Sequence, residues 1–253
     1  MAQANRNTPL RRAKYSLMQH LPGELGLKYR RKLRKLFAPA AEAEFREALT
    51  EAAGKICVDL GANLGQHTRT MAAHAAKVYA FEPDPWTAAE LRKRLADVSN
   101  IEVIEAAAGT EDGTFPLYRT SSFDADPVEQ SQSSSLMAQK RNIDKASAVD
   151  VNVIDFPAFL AALDGDIAVI KMDIEGAEVP LLEALFDHPV KNRIGHLFVE
   201  THESRIPDLL ARTDALRARA KYGFARVCAP LPIGFTRIVA GQEITAAGRQ
   251  WRV

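Results

Sequence analysis

Residues 55–67, KICVDLGANLGQH, decide the fold of this 253-residue chain. A short apolar run ends in an acid, Asp59, and passes through a glycine-spaced turn into a helix-forming segment that starts near Gln66. This order is typical of a buried parallel strand whose carboxyl end opens into a nucleotide-binding loop. Gly61 and Gly65 allow backbone angles closed to other residues, and the first N–H groups of the helix point into the same loop.

The spacing of the glycines in the turn indicates which class of ligand the loop binds. Its pattern, Asp-x-Gly-x-Asn-x-Gly, departs from the Gly-x-Gly-x-x-Gly of nicotinamide and flavin dehydrogenases, which hold a pyrophosphate at the helix end. An acid at the end of the strand would repel two phosphates in a low-dielectric cleft, but it suits a ligand with positive charge and hydroxyl groups. S-adenosylmethionine is such a ligand, and a dehydrogenase is disfavoured.

A second strand, residues 77–81, ends in Glu82, which lies 23 positions after Asp59. An acid at this place in the next strand of such a fold binds the two hydroxyls of a ribose. The alternative is an ordinary strand-helix-strand unit whose glycines only make a tight turn. The second matching acid makes that alternative much weaker than a nucleotide site.

A third apolar run begins at Ile167 and ends in Asp173, and two further acids, Glu175 and Glu178, follow within six positions. Parallel sheets bind their ligands at the carboxyl ends of the strands. We therefore expect this concentration of carboxylates to lie at the ligand-binding rim of the sheet.

These blocks together resemble the FkbM-type S-adenosylmethionine-dependent methyltransferases. The resemblance covers roughly residues 55 to 203 and rests on four blocks in family order: Val58-Asp59-Leu60-Gly61-Ala62-Asn63-Leu64-Gly65, Tyr79-Ala80-Phe81-Glu82-Pro83-Asp84, Ile170-Lys171-Met172-Asp173-Ile174-Glu175-Gly176-Ala177-Glu178 and Leu197-Phe198-Val199-Glu200-Thr201-His202. The third block is close to diagnostic of the family, whereas many methyltransferases share the first two.

The resemblance implies positions for the cofactor and a kind of substrate. The methionine end and the ribose of the cofactor are expected at Asp59, Gly61, Asn63 and Gly65. Glu82 is expected to bind the ribose hydroxyls, and Ala107 to lie beside the adenine ring. The family mostly methylates hydroxyl groups of sugars, glycolipids and polyketide-type metabolites.

Methyl transfer to oxygen needs a hydroxyl placed in line with the methyl group and a base that takes its proton. The candidate bases are Asp173, Glu175, Glu178, Glu200 and His202. We expect Asp173 to lie near the reacting hydroxyl and Glu175 to hold an adjacent one, while His202 has the side chain best tuned to neutral pH. In the competing interpretation, the side chains that bind a Mg²⁺ ion are those of Asp173, Glu175, Glu200 and His202. We favour acid and base catalysis by these residues without a metal.

Composition predicts a single domain in a reducing compartment. An apolar content of 47% over 253 residues supports one sizeable core. The two cysteines, Cys57 and Cys228, are far apart, so neither a disulfide framework nor a zinc site is expected. Neither a membrane span nor a secretory signal is expected, which favours a cytoplasmic protein.

The first 35 residues are strongly basic. They hold ten Lys or Arg and one acid, a balance of +9, and the net charge of +1 leaves −8 for the rest of the chain. Residues 1–37 could contact an anionic membrane surface or a polyanion, but we favour a helical cap whose charges face water. The −8 balance of the remainder weakens the prediction of an RNA substrate.

The alternation of strands and helices predicts a Rossmann-like class I methyltransferase fold of the α/β class. The sheet should be mostly parallel and doubly wound, with a terminal antiparallel pair at residues 224–228 and 235–239. We expect a basic helical N-terminal extension over residues 1–53 and a methyltransferase domain over 54–253. Residues 120–148, the Ser-rich segment, are expected to be an insertion or lid, and a surface loop without a role is the alternative.

The predicted function is O-methylation of a sugar, glycolipid or glycosylated metabolite. The partners expected are a small molecule or glycan, and a nucleic acid is not favoured. Two alternatives stay open: a catalytically silent cofactor-binding module that docks on a polyanion or partner, and an RNA methyltransferase.

Overall fold

A six-stranded sheet forms the centre of the protein. The computed structural model describes residues 8–131, 134–140, 143–144, 146–223 and 235–239. In spatial order the strands are β3 (Ile101–Ile104), β2 (Lys77–Phe81), β1 (Ile56–Leu60), β7 (Ile167–Met172), β8 (Ile194–Glu200) and β9 (Phe235–Val239). Strands β1, β2, β3, β7 and β8 are parallel, and β9 is antiparallel to β8.

The order of the strands reverses at β1. The chain runs from β1 outward to β2 and β3, and then returns to place β7 on the other side of β1. Asp59 lies opposite Ala80 of β2 and opposite Lys171 of β7. Every residue of β1 and β7 is buried, as expected for central parallel strands covered on both faces. A crevice for ligands is therefore expected where the carboxyl ends of β1 and β7 separate.

Helices cover both faces of the sheet. They are α1 (Pro9–Met18), α2 (Gly23–Leu49), α3 (Gln66–Ala72), α4 (Pro85–Arg94), α5 (Pro127–Gln130), α6 (Phe156–Ala162), α7 (Glu178–Asp187) and α8 (Leu210–Gly223), with 3-10 turns at Pro189–Arg193 and Pro207–Leu209. Asp84 caps α4 and Asp155 caps α6, each by accepting a backbone N–H three residues later.

The core has one layer on each face of the sheet. Phe156 and Leu182 pack with Ile170 on the face covered by α6 and α7. Phe45 of α2 packs on the opposite face, where its ring lies edge-on to Phe198 at 5.3 Å between centroids. Cys57 is buried in the same layer, as expected for a core residue, and Cys228 lies outside the described residues.

A small second sheet interrupts the strand and helix alternation. Its strands are β4 (Ala107–Gly109), β6 (Ala148–Asp155) and β5 (Gly113–Tyr118), with β6 in the middle. Strand β4 is parallel to β6, and β5 is antiparallel to it. The sequence did not predict that these strands would form a sheet separate from the main one.

Helix α2 lies within residues 1–53, the segment for which a basic helical extension was expected. It buries Leu33, Phe45 and Leu49 and so caps one face of the domain, whereas α1 buries none of its residues. The terminal strand 235–239 is present as β9, and the predicted partner strand 224–228 lies outside the described residues. Of the helices in the described part of the chain, none combines the length and the apolar character that crossing a membrane requires.

Candidate active site

A cavity of about 940 Å³ opens at the switch point between β1 and β7. Residues 61–65, the glycine loop, line one side of it, and the acidic wall, made of Asp173, Glu175, Glu200 and His202, lines the other. Eight of the nine predicted site residues line this cavity: Gly61, Asn63, Gly65, Glu82, Ala107, Asp173, Glu175 and His202. Asp59 is not among the residues that line it.

The glycines of the loop are required by contacts within the protein itself. Gly61 has a φ of +74°, and a Cβ atom there would lie 1.9 Å from the carbonyl oxygen of Asp173. Gly65 has a φ of +84°, and its Cβ atom would lie 2.7 Å from Leu91. Both residues therefore let the loop pack tightly against its neighbours while its backbone lines the cavity.

The carboxylate of Glu82 is positioned to accept hydrogen bonds from a ligand. Its Oε2 accepts the N–H of Asn63 at 2.9 Å, and its Oε1 accepts the N–H of Asp84 at 3.0 Å. Burial raises the pKa of Glu82 to about 7, against the lowering effect of these two N–H groups. Each carboxylate oxygen can accept a further hydrogen bond, and a pair of vicinal hydroxyls would supply the two donors, so the site fits the ribose of S-adenosylmethionine.

Asp59, which was expected at the methionine end of the cofactor, lies behind the glycine loop and is fully buried. Its Oδ2 accepts a hydrogen bond from the Thr68 hydroxyl at 2.7 Å, and its Oδ1 lies 3.3 Å from the Lys171 ammonium. That ammonium also donates to the carbonyl oxygen of Gly61 at 3.2 Å. Burial alone would lower the pKa of Lys171, but Asp59 and Asp173 outweigh it and raise that pKa. Asp59 thus holds the loop in place through Lys171.

The acidic wall is built around Glu178, which is fully buried in the first turn of α7. Its carboxylate accepts the N–H of Ile174 at 3.1 Å and the N–H of Gly176 at 3.0 Å. Glu175 adopts a φ of +55° within this loop, a conformation that is uncommon for a residue with a side chain. The role of Glu178 is therefore structural: it folds the chain between β7 and α7.

His202 is a buried cation in contact with three carboxylates. Its Nδ1 donates to Glu178 at 2.9 Å, and its Nε2 lies 3.4 Å from Glu175 and 3.6 Å from Asp173. Burial lowers its pKa, but these charges, Glu178 first, outweigh burial and raise the pKa to about 9. The ring therefore carries its proton at neutral pH, which differs from the expectation of a proton acceptor tuned to that pH.

Glu200 is a cavity residue that the sequence named only among several candidate bases. Burial and the nearby charge of Asp173 raise its pKa, while Arg34 of α2 lies 3.1 Å away and opposes that shift. Its position at the end of β8, next to the strand that Asp173 follows, was the signal in the sequence. Arg34 had no such signal, because it lies far from Glu200 along the chain.

The described part of the Ser-rich segment contacts both sides of the cavity. Ser131 donates to the side chain of Asn63 at 3.1 Å, and Ser135 donates to the backbone oxygen of Glu175 at 2.6 Å. Lys140, whose side chain is fully buried, pairs with Glu175 at 2.8 Å. The segment therefore packs over the site rather than apart from it.

The acidic wall, together with Glu178 behind it, contains groups of the kind that bind metal ions. Donor atoms of Asp173, Glu178 and His202 lie within 4.8 Å of one another. However, Glu178 already accepts two backbone N–H groups and the His202 ring, and Glu175 pairs with both Lys140 and Arg205. The contacts of these residues match a balance of side-chain charges better than the oxygen cage that Mg²⁺ requires.

Comparison with known proteins identifies the family. The methyltransferase FkbM domain matches residues 59–224, about two thirds of the chain, and the chain belongs to that family. A sequence search of curated proteins gives no match. The protein is thus an enzyme, an S-adenosylmethionine-dependent methyltransferase with a Rossmann-like class I fold, as the sequence predicted.

Solved structures resemble the chain only distantly. An rRNA methylase from Streptococcus thermophilus is 15% identical with a TM-score of 0.37, and the match covers 67% of this chain and 75% of that one. A protein from Streptococcus mutans described as a methyltransferase, in complex with SAH, is 13% identical with a TM-score of 0.38 over 70% and 78% of the two chains. A precorrin-6y C5,15-methyltransferase from Geobacter metallireducens is 14% identical with a TM-score of 0.37 over 70% and 67%.

Proposed function

We propose that this enzyme transfers a methyl group to a hydroxyl of a sugar, a glycolipid or a glycosylated metabolite. One observation carries the proposal: the Asp173 side chain lines the cavity opposite the glycine loop and is 31% exposed. An accessible carboxylate at this place can accept a hydrogen bond from a substrate hydroxyl.

The glycine loop is the proposed site of the cofactor. Bound S-adenosylmethionine supplies an electrophilic methyl group on its sulfonium. Glu82 accepts the ribose hydroxyls, and Ala107, a small and buried residue of β4, allows a flat ring to lie against the backbone. Asp59 supports Gly61 from behind through Lys171, so it is a positioning residue in this proposal.

On the acceptor side, we assign the contact with the reacting hydroxyl to Asp173. Glu200 lies on the same wall, and burial raises its pKa, which favours the acceptance of a proton. The proton of the hydroxyl is taken by this pair of carboxylates. A positioned base contributes about 100- to 10,000-fold to the rate of such a step.

His202 and Glu175 have supporting roles in the proposal. The His202 cation faces Asp173 and Glu175 and holds these carboxylates in place. Glu175 is paired with Lys140 and Arg205, so it joins the Ser-rich segment to the acidic wall. It orients the neighbouring substrate hydroxyls indirectly, through its contact with that segment. No metal ion has a role in this scheme.

The chemistry of the cavity favours a polyol over a polyanion. The acceptor side presents carboxylates and serine hydroxyls, which are hydrogen-bonding groups suited to sugar hydroxyls. A phosphate backbone would meet Asp173 and Glu200 as like charges, which disfavours RNA. We also propose that residues 54–253 form the methyltransferase domain and that residues 1–53 form an extension that caps it.

The test begins with calorimetric titration of the protein with S-adenosylhomocysteine, with NAD as the control ligand. We expect binding of the first and none of the second. The Asp173→Asn variant should then bind S-adenosylhomocysteine within a few-fold of the unchanged protein and lose about 100-fold or more of its turnover in a screen of sugar acceptors. The matched control is Asp150→Asn, which changes an exposed aspartate of β6.

Two results would overturn this proposal. Full turnover by Asp173→Asn would remove the role given to that residue. Binding of S-adenosylhomocysteine without turnover on any hydroxylated acceptor, together with salt-sensitive binding of RNA, would favour the RNA methyltransferase or the silent module instead.

A further inference from the structure

Helix α1 contacts the protein through its polar and aromatic side chains. The Tyr15 ring lies 5.5 Å from the Tyr29 ring of α2, and the Arg12 guanidinium lies 5.2 Å from the Phe37 ring. Tyr15 and Arg12 are three positions apart and share one face of α1. This face is the one that packs on α2.

The opposite face of α1 exposes its leucines. Leu10 is 81% exposed and Leu17 is 76% exposed. They are seven positions apart, which is two turns of helix, and Lys14 lies between them on the same side. We call Leu10, Lys14 and Leu17 the leucine face. An ordinary surface helix turns its leucines toward the core and its charges toward water, so α1 is oriented the opposite way.

The turn into α2 continues this apolar surface. Leu21 is 40% exposed and Leu25 is 47% exposed. Two further lysines of α2, Lys28 and Lys35, are also exposed. The described residues 8–35 contain one acid, Glu24. The region therefore combines exposed leucines with an excess of positive charge.

Part of the basic charge of α2 is used inside the molecule. Arg30 pairs with Asp214 at 3.0 Å, and Arg34 pairs with Glu200 at 3.1 Å. These arginines tie α2 to the rest of the domain. Among the contacts of the described residues, none gives the leucine face or the exposed lysines a function in the fold.

The chemistry of this surface selects its partner. A free polyanion would neutralise the lysines but leave the leucines in water. A second copy of the chain would cover the leucines but bring two sets of lysines together. An anionic lipid surface offers an apolar layer for leucine side chains and negative headgroups for lysines at the same time.

We propose that α1 and the turn after it dock this enzyme on an anionic lipid surface, with Leu10 and Leu17 entering the headgroup boundary. Lys14 lies between them and pairs with a headgroup while its methylene chain stays beside the leucines. The inference does not rest on the proposed reaction, because its test measures no turnover.

The test is co-sedimentation of the full chain with two kinds of vesicle: phosphatidylcholine alone, and phosphatidylcholine mixed with phosphatidylglycerol. We expect binding to the mixed vesicles and release at high salt. The double variant Leu10→Ser, Leu17→Ser should weaken the binding on the order of tenfold, because each leucine loses apolar burial. Circular dichroism checks that this variant keeps its helix content.

The matched control replaces exposed apolar residues elsewhere, as Phe115→Ser with Val128→Ser, which are 38% and 46% exposed in the unchanged protein. This control should bind as the unchanged protein does. The proposal is overturned if the unchanged protein fails to bind the mixed vesicles, or if both double variants lose binding equally. It is also overturned if Leu10 and Leu17 are needed only for self-association of the chain, or if the chain binds RNA but no vesicles.

Discussion

The glycine loop and the acidic wall face each other across one cavity, but different forces hold them. The loop is held by close contact: Gly61 packs on the Asp173 carbonyl, and Gly65 packs on Leu91. The wall is held by charge, with His202 among three carboxylates and Glu175 between cations. A steric change should therefore destroy the loop at any pH, whereas the wall should respond to pH and to the loss of single charges.

The largest effect is expected from Gly61→Ala. The new Cβ atom would lie 1.9 Å from the backbone oxygen of Asp173. The backbones of Gly61 and Asp173 cannot move apart freely, because each directly follows a buried strand. We expect a loss of stability on the order of 4 kcal/mol and no measurable binding of S-adenosylhomocysteine. Urea denaturation and calorimetry measure the two effects.

The matched control is Gly54→Ala. Gly54 also has a positive φ, +72°, but a Cβ atom there would meet nothing within 4 Å. It should cost only the backbone strain of about 1 kcal/mol and leave binding unchanged. Equal losses in the two variants would show that strain, and not contact with Asp173, makes the loop depend on glycine.

The next effect concerns His202, whose pKa is raised from an ordinary 6.5 to about 9. Because the folded state holds this proton more tightly, the resulting stability is fully present below pH 6.5 and is lost as the pH rises through about 9. Urea denaturation across this window should show a decline on the order of 2 to 3 kcal/mol in the unchanged protein. His202→Gln should remove most of this decline.

His74→Gln is the control for this experiment, since His74 is exposed in the turn after α3. It should keep the pH dependence of the unchanged protein. A decline of the same size in His202→Gln would mean that other groups cause it, and the acidic wall would then not depend on a cation at its centre.

The glycine loop could be predicted well from the sequence, because its contacts follow from local patterns. Glycines at fixed spacing after a buried strand are enough to identify the loop, and the place of Glu82 after the next strand is enough to bring it to the same cavity. The direction of the Asp59 side chain does not follow from such a pattern. The pattern places an acid at the end of β1, but whether its side chain faces the cavity or Lys171 depends on the neighbouring strand β7.

The residues of the acidic wall could be named from the sequence, but their roles could not be assigned. Carboxylates at the ends of β7 and β8 predicted a charged rim, and the fold brings them together as expected. Their roles depend on partners far away in the chain, such as Arg34 beside Glu200 and Lys140 beside Glu175. No local pattern contains those distances, so the charge state of His202 and the raised pKa of Glu200 follow only from the folded arrangement.

A smaller effect is expected from the ionisation of Glu82, which should change the affinity for the cofactor. Burial raises the pKa of Glu82 to about 7, and hydroxyl donors bind the ionised form better. The affinity for S-adenosylhomocysteine should therefore rise about tenfold between pH of about 6 and about 8, as the free carboxyl loses its proton. Calorimetry at the two pH values measures this. Glu82→Gln should bind more weakly with no such rise, whereas Glu111→Gln, an exposed control, should retain it.

The smallest effect is expected from Arg34→Gln, which removes the cation 3.1 Å from Glu200. Arg34 opposes the effect of burial on the pKa of Glu200, so its loss should raise that pKa further, and only modestly because the pair is partly exposed to water. Carbon-13 NMR of labelled glutamate carboxyls measures the titration directly. Affinity for S-adenosylhomocysteine should not change, because the glycine loop does not depend on this charge.

Two variants complete the Arg34 experiment. Arg34→Lys should restore most of the original titration, since it returns the charge at nearly the same place. Arg46→Gln breaks an exposed pair with Glu42 on the same helix and should leave the titration of Glu200 unchanged. If Arg34→Gln instead weakened cofactor binding as strongly as Gly61→Ala, the loop and the wall would be one coupled unit, and the distinction between contact and charge would fail.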